Sequence, residues 1–280
     1  SGSSALEASI GILDMSGTTT TNVSDSKVNA GGDIQINAQS EMDTDLITGS
    51  LSAGGTAGVG ASVGITLLDD YVKAQVDGSC ALDSPAKTRI ASSSRKNIDN
   101  YGATGSFAGT AGIAGTLAVN VVDGGAETLV AGNVAINAES SGGDQQDVIL
   151  SSSDTTHVSD TLGEFSGGGS AAIGAVVDVT LVRSGALTRL EDSPRLNASH
   201  DIKLTGEADR QVDLLALSGN VSPGGSATGA VTVVNIGSRP GEDARDLSEA
   251  SVQNADDLLD ESRIGQSPDE SSGVPADVVK

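Results

Sequence analysis

The residues in this chain that could do chemistry are few and widely spaced. His157 and His200 are the two histidines, paired carboxylates occur at Asp43/Asp45, Asp69/Asp70 and Asp256/Asp257, and Cys80 is the lone cysteine. A nucleophile and base need a third group to orient the base, and nothing in the sequence around either histidine supplies one. Both read as solvated residues, His157 in a polar loop and His200 at a corner matched by Gly32 and Gly132. Two of the carboxylates could act as acid and base of a glycosidase or lyase. Enzymes on sugar polymers offer aromatic platforms, however, and this chain has two Phe, two Tyr and no Trp. The acids read as solvated turn residues, the chain is expected not to be an enzyme, and no catalytic or cofactor-binding residue is assigned. Calcium is the one cation suited to acid-rich turns. Yet Gly31-Gly32-Asp33 stops short of a Gly-Gly-x-Gly-x-Asp calcium repeat, and neither an EF-hand loop nor His-Glu-x-x-His occurs, so no metal ligand is assigned. Cys80 alone can form neither an internal disulfide nor a cysteine-based metal site.

What must position such residues is an interior of small side chains. Aromatic groups normally supply the largest buried areas; here the core has to come from Val, Ile, Leu and Ala, with 37 glycines among 280 residues allowing close approaches. The formal charge of −23 and pI near 4.1 argue against nucleic acid or an anionic membrane as partner. No run of about 18 apolar residues suggests a membrane-spanning helix. The opening Ser1-Gly2-Ser3-Ser4 lacks a charged segment followed by an apolar one; the chain reads as an excised or mature segment.

The strongest signal is repetition. An alternating apolar run centred on Ile10 recurs at Val63, Leu117, Val177 and Val231, in steps of 53, 54, 60 and 54. A second element, Gly31-Gly32-Asp33-Ile34-Gln35-Ile36-Asn37-Ala38, is echoed around Ile90, at Ala131 to Ala138 and at Ser199 to Gly206. From Ile36 to Leu204 and from Val63 to Val231 the separation is 168 in both cases. The phase between the two elements is 27 residues in three units, whereas Ile136 to Val177 is 41. That implies about 14 inserted residues between Ser140 and Leu162, a polar stretch expected to leave the stack as a binding loop.

Val59, Ala61, Val63, Ile65 and Leu67 alternate with Gly60, Ser62, Gly64 and Thr66, the period-2 pattern of a strand with one buried face. The predicted fold is all-β, a parallel β-solenoid of strands about five residues long, each 54-residue unit forming two coils of 27 or three of 18. Glycine runs such as Ala53 to Gly58 and Gly167 to Ala171 mark tight corners or close contact between coils. The alternative is an antiparallel β-sandwich or β-prism. The repetitive region spans 1–237, with units anchored near 10, 63, 117, 177 and 231. An acidic, partly disordered segment spans 238–280, in which a degenerate element starts near Leu258 beside Asp256, Asp257, Asp260 and Glu261.

The succession of a GGDIxINA corner, a Gly-Gly-Thr-Ala-Gly-Val-Gly-Ala run, an alternating Val/Ile strand and a Val-Lys-Ala-Gln-Val segment resembles the repeats of large filamentous adhesins and leukotoxin-type proteins of Gram-negative bacteria, the passengers of autotransporters and two-partner secretion systems. The resemblance covers about residues 5–237. Pro223, Asp178 and Asn235 depart from its pattern. It implies a right-handed parallel β-helix, export to the cell surface or medium, and a role in attachment or aggregation. The partners so implied are a host or neighbouring-cell surface, extracellular matrix or polysaccharide, or other copies of the chain. A self-assembling filament or matrix component is the alternative role, and a polysaccharide-active β-helix enzyme a more remote one.

Overall fold

A computed structural model describes residues 3–139 and 144–237; the acid cluster from Asp256 and the element at Leu258 lie outside them. Among the described residues every regular element is a strand. Each coil contains a long strand, a short one and a second long one. The first has β1 (Ser4–Ser24), β2 (Lys27–Asn29) and β3 (Ile34–Gly54); the next has β4 (Ala57–Asp77), β5 (Ala81–Asp83) and β6 (Thr88–Ala108). β7 (Ala111–Ala131), β8 (Ala135–Ile136) and β9 (Val148–Gly168) form the third, β10 (Ala171–Glu191), β11 (Arg195–Leu196) and β12 (Ile202–Val221) the fourth, and β13 (Ser226–Ile236) begins a fifth.

Equivalent strands stack in parallel into a first sheet, β1-β4-β7-β10-β13, a short sheet, β11-β8-β5-β2, and a second long sheet, β12-β9-β6-β3. This is a parallel β-helix, consistent with the right-handed sense that parallel connections adopt, and it excludes the antiparallel sandwich. One coil therefore takes the whole 54-residue unit. The expected division into two or three smaller coils fails because the strands have 21 residues, about 70 Å at ~3.3 Å per residue.

The alternating-run anchors hold without exception: Ile10, Val63, Leu117, Val177 and Val231 form one column across the first sheet. The second series holds at Ile36, Ile90 and Leu204 but not at Ile136. Its third member is Leu150, and Ile136 instead stacks between Leu82 and Leu196 in the short sheet. With the register corrected, the third coil is longer by six residues, as the shift from Thr88↔Val148 to Val148↔Ile202 shows (60 against 54). The extra residues enter between β8 and β9, where Gln146 Nε2 donates to Ser84 O at 2.7 Å on the way back into the stack. From Val148 onward the supposed loop is a core strand, so it cannot be the binding loop that the spacing implied.

Corners obey backbone sterics. The residue after each first long strand is left-handed: Asp25 (φ 48°), Gly78 (70°), Gly132 (87°) and Asp192 (62°) stand one above another. Glycine carries no steric cost there and Asp a tolerable one. At the far end the glycine runs are tight corners, as expected. A Cβ on Gly54 would lie 1.9 Å from Ala57 O, and one on Gly168 1.8 Å from Ala171 O.

The interior changes along the strands. Near the short sheet, Val72, Val76, Leu82, Ile90, Val130 and Ile136 lie among the aliphatic side chains of a dry core. Toward the glycine corners the two long sheets close together until backbone meets backbone: a Cβ on Gly58 would sit 2.6 Å from Phe107 O, and one on Gly112 2.4 Å from Gly167 O. Glycine, hydroxyls and small side chains fill most of the space between, with Leu162 and Val176 the larger exceptions. Ser62, Thr66 and Thr116 are buried there, with Ser62 Oγ and Thr104 Oγ1 2.7 Å apart and Thr116 Oγ1 donating to Gly163 O at 2.9 Å. The period-2 reading of Val59 to Leu67 was right about the strand and wrong about its direction. Gly60, Ser62, Gly64 and Thr66 face inward, while the aliphatic residues face out.

Gly132→Ala should lower stability by about 1–2 kcal/mol, the left-handed cost for a residue with a Cβ, increased by the 2.7 Å approach to Gly78 O. Gly163→Ala, with nothing within 4 Å of its would-be Cβ, should be nearly neutral. Urea unfolding of the two variants side by side measures the difference.

Candidate functional site

Where the slab begins to thin, ionisable groups line the interior. Sequence reasoning missed Lys96 and Asp154, and Asp70, expected as a solvated turn acid, is buried within β4. Lys96, Asp154 and Asp70 are fully buried. Lys96 Nζ donates to Asp154 Oδ1 at 2.5 Å and to Ser94 Oγ at 2.8 Å, and Ser94 Oγ donates to Asp70 Oδ2 at 2.6 Å. One cation thus holds two carboxylates, one directly and one through a hydroxyl. Asp69 and Asp70 are neighbours in sequence but lie on opposite faces of β4, so they do not form a pair; Asp43 and Asp45 share the outer face of β3.

Two columns nearer the corners, Asp160 of β9 faces Asp178 of β10. Asn100 Nδ2 donates to Asp160 Oδ1 at 2.9 Å, Asn120 Nδ2 donates to Asp160 Oδ2, and Asn120 also donates to Thr180 Oγ1 at 3.1 Å. Burial pushes both carboxyls above the usual range. For Asp178 the negative charge of Asp160 adds to burial and takes it up to about 7. Two carboxyls this close keep one proton between them. The Asp178 anticipated as a flaw in its strand is therefore one half of an internal acid pair. Sealed in this way, the pair can hold a proton but cannot meet a substrate. The signal that finds these residues is register: once the inward positions are known, each acid falls on one of them.

The histidines sit elsewhere. His157 is on β9, not in a loop, and its outward ring pairs with Asp213 Oδ2 at 3.2 Å. His200 is at a corner as expected, but the residue beneath it is Gln146, whose carbonyl accepts from His200 N at 3.1 Å. Gly132 belongs to another corner. His200 Nδ1 lies 2.7 Å from Asp147 Oδ1, which also accepts from Asp201 N at 3.2 Å. The hydrogen bond to Asp147 raises the His200 pKa, and the same bond lowers that of Asp147. Asp147, His200 and Asp201 are the one gathering of metal-type ligand atoms among the described residues, all within 4.8 Å. Their polar atoms already serve one another as an ion pair and a cap on the next coil. Asp33, the acid of the Gly-Gly-Asp motif, does the same capping for Lys87 N at 3.0 Å, so that motif is a turn.

The outer surface divides sharply. On the first sheet the outward positions from Val59 to Leu67 and their equivalents in every other coil are aliphatic or glycine, apart from Asp14 and Asn235 at the two ends of the Leu67 column. The next outward column holds Asp69, Asp123 and Arg183. Farther along, Glu127 accepts from the Tyr71 hydroxyl and pairs with Arg189 Nη2 at 2.5 Å, binding three coils together; burial, then the bond to Glu127, raises the Tyr71 pKa. The second long sheet is likewise apolar outside near the corners. Ile47, Leu51, Leu215 and Leu217 are half exposed or more, and Phe107 and Phe165 pair with ring centroids 5.7 Å apart. Among the described residues no helix is long and apolar enough to cross a membrane.

The chain matches no known family. Comparison with protein-family models, with curated proteins and with solved structures found no match.

Replacing Lys96 by Met should cost about 3–5 kcal/mol, the usual result of leaving a buried charge without its partner, and Lys96→Met with Asp154→Leu should recover most of it; urea unfolding gives both values. The acid pair predicts an unusual pH response. Its folded pKa lies above the ~3.9 of an unfolded Asp, so the folded state holds the extra proton. Its contribution is therefore greatest at low pH and declines as pH rises through about 7. Thermal melts should show a contribution to Tm that falls between roughly pH 4 and 7, and Asp178→Asn should flatten that slope and raise Tm at the upper end.

Proposed function

We propose that this chain is an adhesive structural module of a large exported surface protein, working through its outer faces and not through a catalytic pocket. The observation that carries the reading is the uncharged, contiguous apolar surface around the glycine-corner end, on a chain whose net charge is −23. Apolar patches beyond a few hundred Å² mark interaction surfaces. The stack displays this one on in-register strands tied by backbone hydrogen bonds, so its side chains are held in fixed rows. The resemblance of the repeats to filamentous adhesins supports export to the cell surface and attachment to a cell, matrix or polysaccharide surface.

Beads coated with the chain should be retained on cell monolayers or matrix-coated plates several-fold better than albumin-coated beads. Ile173→Glu combined with Leu215→Glu should remove that retention, and Asn37→Lys on the polar half should not. Absence of retention by the unaltered chain would refute the adhesive reading.

A further inference from the structure

We propose that the outer face of the first sheet packs against the same face of a second copy of this chain. This names one partner for the surface on which the adhesive reading rests, but requires neither export nor attachment to a cell.

Three properties of the face point to self-pairing. The first is charge. Two copies of a chain at −23 repel wherever their carboxylates meet, and the face from Ala57 to Leu67 with its equivalents is the broad area of the first sheet without them, Asp14 at one corner excepted. The second is area. Five strands about 4.8 Å apart and eleven residues at ~3.3 Å each cover roughly 870 Å², close to the ~800 Å² that one side of a standard stable interface contributes.

The third is relief. The column of Ala57, Ala111 and Ala171 is low, the column through Val59 and Ile113 stands up, and the column of Ala61, Gly115 and Ala175 is low again. Beyond it three aliphatic columns follow, through Val63, Ile65 and Leu67. Consider a two-fold axis parallel to the stack, placed between the Ala61 and Val63 columns. It sets each low column of one copy against an aliphatic column of the other, Ala61 opposite Val63 and Ala57 opposite Leu67. The Val59 column then meets the Ile65 column. Each copy thus presents the same patch to the other, as a two-fold interface demands, and the sheets pack face to face as in a sandwich. The second long sheet lacks this profile: its apolar outward positions are interrupted by Thr161 and by Gly49, Gly105, Gly163 and Gly219.

The test is the mass of the purified chain by sedimentation equilibrium over a micromolar concentration series. The expected species is a dimer of twice 27.6 kDa. Ile173→Glu and, independently, Ile10→Glu should weaken it at least tenfold; these residues are 50% and 70% exposed, so the charge need not disturb the fold, and circular dichroism checks that it does not. Leu215→Glu on the other long sheet should leave the dimer intact. The proposal is overturned by a wild-type chain that stays monomeric, by a dimer unaffected by both first-sheet variants, or by one lost only in Leu215→Glu. A monomer that binds neutral phosphatidylcholine vesicles would overturn it in favour of a lipid surface. Absence of bead retention by an unaltered chain that still dimerises would instead count against adhesion alone.

Discussion

The in-register parallel hydrogen-bond ladder between successive coils governs everything else in this protein. It places each residue directly over its counterpart one repeat away, so every choice of side chain is made for a column and not for a site. Inside, a column of like charges would be ruinous, and the chain avoids it. Lys96 lies between Met42 and Thr156, Asp154 between Ser94 and Ala208, and Asp160 between Asn100 and Leu214. Neutral hydroxyl and amide groups tolerate stacking and fill the columns between.

The ladder also explains the change of character along each strand. Where the short sheet props the long sheets apart, aliphatic side chains fill the space and form a dry core. Where the long sheets converge on the glycine corners, glycine, hydroxyls and amides take most of the inward positions, with Leu162 and Val176 as the larger exceptions, while most Val, Ile and Leu go outward. The apolar surface is thus a consequence of how thin the interior is. It leaves the chain with a large uncharged area bounded by charged columns, the feature on which both functional proposals rest.

Much of the fold was legible. The anchors at Ile10, Val63, Leu117, Val177 and Val231 needed only spacing, because the ladder keeps equivalent residues in one column and length changes fall at the corners, and the glycine runs announced their corners. Three things were not legible. Ile136 resembles the second series because Val134-Ala135-Ile136-Asn137-Ala138 repeats the pattern of Ile34-Gln35-Ile36-Asn37-Ala38 after a glycine corner. The first holds a two-residue strand and the second opens a long one, and only the pairing of Leu150 with Ile90 separates them. Alternation shows that two faces differ but not which is inward; that depends on the distance between sheets. The buried acids were invisible for the same reason, since an Asp in a polar run gives no sign of its direction until the register is known.

The central claim is that the strands from Val59 to Leu67 are polar or glycine inside and aliphatic outside. Single cysteines placed in turn at positions 59 to 67, with Cys80 buried, and exposed to a polar maleimide under conditions that keep the chain monomeric, test it most directly. Fast labelling at 59, 61, 63, 65 and 67 with protection at 60, 62, 64 and 66 is the predicted result. The opposite alternation, with the aliphatic positions protected in the monomer, would contradict it.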